Sequence, residues 1–134
     1  MVKITKQLSV FLENRPGGLA RICNILSEAG LNIQALSVHD TVDHAIVRLV
    51  VDQPIKALLL LEQQGLYILE QDIVIISLDN RPGRLAELAQ KVARADINIE
   101  YAYCTAMDRQ EEGCLVLKTD SAERTLELLR DRPE

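Results

Sequence analysis

The sequence predicts an α+β protein built from two similar units, each an antiparallel sheet with helices on one face. The first observation is a repeated turn, because ENRPGG at residues 13–18 returns as DNRPGR at residues 79–84. The second is the alternation of short apolar runs with stretches of helical spacing around both copies. The third is the composition: hydrophobic residues make up 48% of the chain and aromatic ones only 3%, which predicts an aliphatic core.

The repeat extends well beyond the turn. Residues 11–38 and 77–104 align at an offset of 66 with ten identities in 28 ungapped positions. The identities cluster at turn signals, so we interpret the chain as a tandem of two related units. We place the first unit in residues 1–71 and the second in residues 72–134.

Each unit shows the order β-α-β-β-α. An apolar strand stops at Arg-Pro-Gly, where proline suits the first turn of a helix because its missing N–H is not needed there. Gly30 and Asp96 then end the first helix of each unit. Strands are predicted at residues 7–12, 32–40, 44–52, 73–78, 98–107 and 113–120, and second helices at residues 53–65 and 121–131.

A closing strand is predicted in the first unit but not in the second. LYILEQ at residues 66–71 gives the first unit the order βαββαβ, a ferredoxin-like split βαβ. The second unit has a hairpin two residues longer, so the partner of Tyr67 would be residue 135. We therefore expect the second unit to lack its last strand. Its open edge would pair with another chain or with residues beyond 134.

Charge and cysteine content restrict the class of protein. The formal charge of −5 argues against nucleic acid, since phosphate contacts need a basic surface. No long apolar run or signal-peptide core is present, which argues against a membrane partner. Three cysteines without CxxC spacing suit reduced thiols rather than disulfides or zinc. We predict a cytoplasmic protein without metal or cofactor.

The repeated motif resembles a known family. Asn-Arg-Pro-Gly-x-Leu-Ala opens a helix in each unit, and Asn-Ile follows 18 residues after the first Asn. This frame resembles the ACT domain, and two such units with almost no linker resemble the small stand-alone tandem ACT proteins. The resemblance implies a regulatory, non-catalytic module that binds small molecules, mostly amino acids, at interfaces between paired domains.

The chemistry of the motif suits a carboxylate ligand. The first N–H groups of a helix have no partner inside it and carry partial positive charge. Glycine at the turn lets a ligand approach the backbone closely. The asparagines that begin the next strands are expected beside the same end of the sheet, and in the ACT domains that this pattern resembles both asparagines belong to the ligand site. The predicted ligand-binding residues are Asn14, Gly17, Gly18, Leu19, Asn32, Ile33, Asn80, Gly83, Arg84, Leu85, Asn98 and Ile99.

The loop departs from the family pattern at one position. The best-known amino-acid-binding ACT domains with this loop carry a histidine two positions before the asparagine. Leu12 and Leu78 stand there in this chain, and their alternation with Val10 and Ile76 predicts core positions. A pocket without the histidine suits an apolar ligand side chain, or is an empty dimerisation surface.

Two polar features have simpler alternatives. Asn14 and Asn80 precede a helix-opening proline, where asparagine commonly forms a turn or cap. His39 and His44 flank the turn at residues 40–43 and could face each other across a hairpin. A solvated hairpin tip is favoured over a metal site, because the second unit has no counterpart of the two histidines.

Some strands are apolar on both faces. Ile73 and Ile75 alternate with Val74 and Ile76, and only one of these pairs can face the helices. The back of a sheet with helices on one face is normally polar. The sister unit or another chain must then cover it, and we predict at least a homodimer.

Four functions compete on the sequence alone. The first is an amino-acid sensor, supported by the doubled loop. The second is a regulatory subunit of an amino-acid biosynthetic enzyme, since LSVFLEN resembles the opening of the acetohydroxyacid synthase small subunit. The third is an assembly module without ligand. The fourth, an enzyme like the acylphosphatases, is disfavoured because Pro16 removes a backbone donor and no nucleophile–base pair is apparent.

Overall fold

The computed structural model describes residues 1–105 and 112–130 of the chain. The predicted α+β class and the repeated β-α-β-β-α order are confirmed. The predicted longer hairpin is DRQEEG at residues 108–113, and its residues 108–111 lie outside the described residues. The elements are β1 (Val2–Glu13), α1 (Gly18–Glu28), β2 (Ile33–Asp40), β3 (His44–Val51), α2 (Pro54–Gln63), β4 (Tyr67–Asp79), α3 (Arg84–Arg94), β5 (Ile99–Thr105), β6 (Glu112–Thr119) and α4 (Ala122–Arg130).

The chain divides into two compact units that share β1 and β4. The first unit is Lys6–Gln71, and the second is Met1–Thr5 together with Asp72–Glu134. In the first unit the strand order is β2-β3-β1-β4, and in the second it is β5-β6-β4-β1. The division falls after Gln71, but the first five residues lie in the second unit, not in the first as the sequence suggested.

The edge expected to be open in the second unit is covered by the chain itself. The N–H of Ser77 in β4 donates to the carbonyl of Met1 over 3.0 Å. Val2 and Ile4 pack against the core of the second unit. The prediction of an open edge was therefore wrong. The closing strand of the second unit comes from residues 1–5 and not from the segment after α4, because position in a sheet does not follow sequence order.

Each unit has its own aliphatic core between sheet and helices. The prediction that Leu12 and Leu78 are core residues is confirmed, since both are buried among neighbours from strand and helix. The first core includes Leu8, Val10, Ile22, Leu26, Val47, Leu49 and Leu61, and the second includes Val74, Ile76, Leu88, Val92, Leu115, Leu117 and Leu129.

The opposite sheet face is also buried within one chain. Ile73 and Ile75, which alternate with the core residues of β4, are 0% and 2% exposed. In the first unit Gln7 and Ser9 are buried as well, and both hydrogen-bond to Oε1 of Gln71 over 3.0 Å. No second chain is needed to bury these residues, so the apolar back face no longer supports a homodimer. The homodimer stays a prediction.

The first helix of each unit ends in the left-handed backbone region. Gly30 follows α1 with φ of 75°, and Asp96 follows α3 with φ of 59°. Among the described residues, Asp96 is the one non-glycine with positive φ. The two ends thus have the same backbone shape although one lacks the glycine that normally provides it.

Candidate functional site

The repeated loop has the same backbone shape in both units. Gly17 and Gly83 take φ of 94° and 86°, and each caps the helix that follows without a side-chain hydrogen bond. An added β-carbon at either glycine would meet no atom within 4 Å. Glycine is therefore required by the left-handed backbone and not by lack of space.

Both helices begin with N–H groups that have no acceptor inside the helix. The first helical bonds run from Arg21 N–H to Gly17 O and from Glu87 N–H to Gly83 O, each 3.0 Å long. The N–H groups before them precede the helical bonding pattern, and their role as donors to an anion stays a prediction. In the second unit the N–H of Arg84 already donates to the carbonyl of Arg81 over 3.3 Å.

A cavity of about 590 Å³ lies against the loop of the first unit. Its walls come from the end of β1, the start of α1, His44 at the start of β3, and the α2–β4 connection. Phe11 and Tyr67 line it with their ring centroids 5.4 Å apart. Leu12 adds to this apolar wall, so one side of the cavity is a hydrophobic surface.

Charged groups form the rim of the same cavity. Arg21 donates from Nη2 to the carbonyl of Gln64 over 3.1 Å, which ties α1 to the end of α2. Arg15 pairs with Glu13 over 3.2 Å, and both side chains are largely exposed. The cavity thus joins a helix start, two guanidinium groups and one carboxylate to the hydrophobic surface.

A cavity of about 200 Å³ lies against the loop of the second unit, and its far wall comes from β5 and β6. Leu78 lines it at the position of Leu12, and Asn80, Gly83 and Leu85 line it from the loop and the helix start. Cys104 from β5 also reaches this cavity. The predicted residues of the second loop are therefore brought together.

Four charged side chains form a network at this second loop. Nε of Arg84 lies 3.0 Å from Oδ1 of Asp79, and Nη1 lies 3.6 Å from Oε1 of Glu87. Arg81 hydrogen-bonds to Asp79 and lies 3.7 Å from Glu87. The hydrogen bond from Arg81 holds the pKa of Asp79 below its usual value; partial burial opposes this shift, and the hydrogen bond from Arg84 adds to it.

Asn14 performs a local task in the first unit. Its Nδ2 donates to Oδ1 of Asp40, and its backbone N–H donates to the carbonyl of Asp43 over 3.4 Å. Both contacts tie the loop to the β2–β3 hairpin. This geometry fits the turn role that the sequence left open for Asn14, whereas Asn80 lines the cavity of the second unit.

The expected position of Asn32 and Asn98 was wrong. Glu13, next to Asn14, pairs with His44 at the start of β3, whereas Ile33, next to Asn32, pairs with Val51 at its end. The length of β3 separates them by roughly 20 Å. The helix between β1 and β2 returns the chain to the opposite end of the sheet, so one loop and the next Asn-Ile cannot share a ligand within a unit.

The second unit follows the same rule. Asp79 pairs with Glu112 at the start of β6, and Ile99 pairs with Thr119 at its end. The N–H of Asp120 donates to the carbonyl of Asn98 over 3.2 Å, which fixes the strand start to the end of β6. Asn98 therefore lies far from the loop that carries Asn80.

The histidine pair does not form across the hairpin. His39 pairs with Ile46 in the β2–β3 ladder, not with His44, and both histidines are exposed. Within residues 1–105 and 112–130, no group of three or more His, Cys, Asp or Glu could hold a metal. None of the helices in this described part is long and apolar enough to cross a membrane.

Sequence reasoning missed the residues that make the two cavities different. At the offset of 66, Gly18 aligns with Arg84 and Arg21 aligns with Glu87. These differences between the two copies were visible in the sequence, but only the structure shows that Gly18 and Arg21 line the first cavity and that Arg84 lines the second. Tyr67 and Gln64 were missed because they come from a distant segment of the chain.

Comparison with known proteins identifies a family that the chain matches. The sequence profile of a family described as an ACT domain pair matches residues 3–132. A solved structure of a Bacteroides thetaiotaomicron protein is similar over 97% of this chain and 89% of that chain, with 30% identity and a TM-score of 0.88. No curated protein sequence matched.

Two further solved structures share the fold at lower identity. The ligand-free regulatory subunit of aspartate kinase from Thermus thermophilus matches over 99% of this chain and 97% of that one, with 21% identity and a TM-score of 0.72. The regulatory subunit of aspartate kinase from Thermus flavus matches over 96% and 94%, with 22% identity and a TM-score of 0.65.

Proposed function

The chain belongs to the family of ACT domain pairs, and from this premise we propose that it is a regulatory protein that binds an amino acid. The observation that carries the proposal is the cavity of the first unit, where a helix start, guanidinium groups and an apolar wall meet. An amino acid offers a carboxylate, an ammonium group and a side chain, and the cavity has a complement for each.

The proposed binding mode follows from this distribution of groups. The carboxylate lies at the start of α1, near Gly17, Gly18 and the guanidinium of Arg21. The ammonium group is placed towards Glu13. The side chain packs on Phe11 and Leu12, so we propose an apolar amino acid, which agrees with the absence of the histidine found in related loops.

We propose an enzyme as the protein partner and the cytoplasm as the compartment. Solved structures with the same fold include regulatory subunits of aspartate kinase. A small ligand sensor acts by changing the conformation of a partner when its ligand binds. The three cysteines are free thiols in the structure, which suits a reducing compartment.

A thermal-shift screen against the proteinogenic amino acids tests the proposal. A fluorescent dye is required because the chain has no tryptophan. An amino acid present at a hundred times its Kd stabilises the native state by about 2.7 kcal/mol, which raises Tm by several degrees. We expect a rise with one or a few apolar amino acids.

Two matched variants locate the effect. Arg21→Gln removes a guanidinium–carbonyl contact at the cavity, and the rise in Tm should be lost. Arg124→Gln removes a similar contact, from Nη2 to the carbonyl of Ala95 over 2.7 Å, away from both cavities, and the rise should persist. A flat panel for the wild-type chain contradicts the proposal.

A second candidate function is an assembly module. Ile55 and Leu59 lie one turn apart on α2 and are 69% and 55% exposed. Exposed apolar residues on one helix face favour contact with another protein or a second copy of the chain. Sedimentation of the chain alone tests the homodimer prediction. A monomer whose Tm is unchanged by every amino acid would leave neither function supported.

A further inference from the structure

The two loops share a backbone shape but differ in the residue that begins the helix. The cavity of about 590 Å³ at the first loop extends to the α2–β4 connection, and the cavity of about 200 Å³ at the second loop extends to β5 and β6. Gly18 brings no side chain into the first cavity, whereas Arg84, at the aligned position, lines the second with a long one.

Arg84 is held in the second cavity by neighbours on both sides. The residue is only 8% exposed, although arginine is rarely buried to this degree without a partner. Asp79 contacts its Nε at 3.0 Å and Glu87 lies 3.6 Å from its Nη1. The guanidinium of Arg84 already has two carboxylates within reach, so a ligand carboxylate would compete with partners of the same kind.

The first cavity has the opposite charge arrangement. Arg21 stands at the position of Glu87, and its Nη2 donates to a backbone carbonyl, which positions the guanidinium without neutralising it. Glu13 stands at the position of Asp79 and pairs with the exposed Arg15. The first loop therefore presents an excess of positive charge beside its cavity, and the second presents a network of two guanidinium groups and two carboxylates.

We infer that the chain binds one amino acid, at the loop of the first unit, and that the side chain of Arg84 occupies the equivalent place in the second. This inference rests on the proposed function and adds its location and stoichiometry. In the second loop the turn has a structural role, because the ion pair between Asp79 and Arg84 connects the end of β4 to the start of α3.

Backbone-resolved NMR tests the inference on the intact chain. The probe is an equimolar pool of the proteinogenic L-amino acids, added at millimolar concentration to the ¹⁵N-labelled protein. We expect shifts of the amide signals of Gly17, Gly18 and Leu19 and unchanged signals for Arg84 and Leu85. Shifts at both loops, or at the second alone, overturn the inference while leaving an amino-acid binder. Unchanged signals at both loops overturn the inference and the proposed function together.

Exchanging the aligned residues tests the cause of the difference. Gly18→Arg should abolish the shifts at the first loop. Gly18→Ala is the matched control, because both variants place a β-carbon 3.0 Å from Cδ1 of Leu12, but only arginine fills the cavity. Arg84→Gly should add shifts at Gly83 and Leu85, provided that the spectrum keeps its native dispersion. Persistent binding by the folded Gly18→Arg variant would overturn the inference.

Discussion

The two units reach the same fold from the same turn but are completed differently. The first unit is closed by β4, which follows its second helix, whereas the second is closed by Met1–Thr5 from the start of the chain. Their loops share the left-handed glycine yet differ in what faces the cavity. The backbone of a turn can thus be duplicated while the side chains and the neighbouring segments around it differ.

Removing residues 1–5 breaks the comparison most strongly. The second unit loses its edge strand, the partly buried Val2 and Ile4, and the bond from Ser77 N–H to Met1 O. We expect a loss of about 3 kcal/mol of stability, from apolar burial and ladder bonds together. Native-state hydrogen exchange should become faster for the amides of Asp72–Asp79 and β6. It should change less for the amides of β2 and β3. An equal increase in both units would contradict the assignment of residues 1–5.

Alanine at the two capping glycines sharpens the comparison. Gly17→Ala and Gly83→Ala each force a β-carbon into the left-handed region without creating a contact, since no atom lies within 4 Å of it. Each should cost about 1 kcal/mol in the free energy of unfolding, measured by urea denaturation. Costs that differ clearly between the variants would mean that the two turns are not equivalent.

The helix ends offer a smaller test with opposite signs. Asp96→Gly removes a side chain from a left-handed position and should stabilise the protein by about 0.5 kcal/mol. Gly30→Asp makes the reverse change in the first unit and should destabilise it by a similar amount. Thermal unfolding of the two variants measures both effects. A loss of stability in both would show that the Asp96 side chain makes a favourable contact.

The charge network gives the smallest expected effect, because the Asp79 side chain is 45% exposed and solvent screens its interactions. The folded-state pKa of Asp79 is lowered, chiefly by Arg81, so its contribution is present above the unfolded value of about 3.9 and is lost as pH falls through the folded value.

The urea midpoint is the measurement for this effect. The difference between the wild-type chain and Asp79→Asn should shrink as pH is lowered from neutral to below the unfolded pKa. In an Arg81→Met background the dependence should be weaker. A difference that stays constant across this pH range would contradict the role given to the network.

Much of the fold could be predicted from the sequence because local residue patterns indicate where helices, turns and core positions lie. Pro16 and Gly17 mark a helix start, and the alternation around Leu12 and Leu78 marks the core. The position of residues 1–5 was not readable, because strand pairing between distant segments leaves no local signal. The position of Asn32 was predicted wrongly for a related reason. The helix between β1 and β2 returns the chain to the opposite end of the sheet, and this becomes visible only from the pairing of β2 with β3.

The candidate site was predictable as a location but not as a shape. The glycine turn identified both helix starts, whereas the walls of each cavity come from other segments that only the structure brings to the loop. Tyr67 and Gln64 complete the first cavity from a segment about fifty residues away in the sequence. Such contributions appear only when the topology is known.

Both units use β1 and β4, and this has a consequence for dividing the chain into fragments. A fragment covering Lys6–Gln71 contains both helices of the first unit, β2, β3 and the parts of β1 and β4 that belong to it, so we expect it to fold alone. A fragment starting at Asp72 has an unsatisfied sheet edge, and a short peptide with the sequence MVKIT is its natural complement. The two halves of the chain are therefore unequal: we expect the first to fold as an isolated fragment and the second to need the MVKIT segment to complete its sheet.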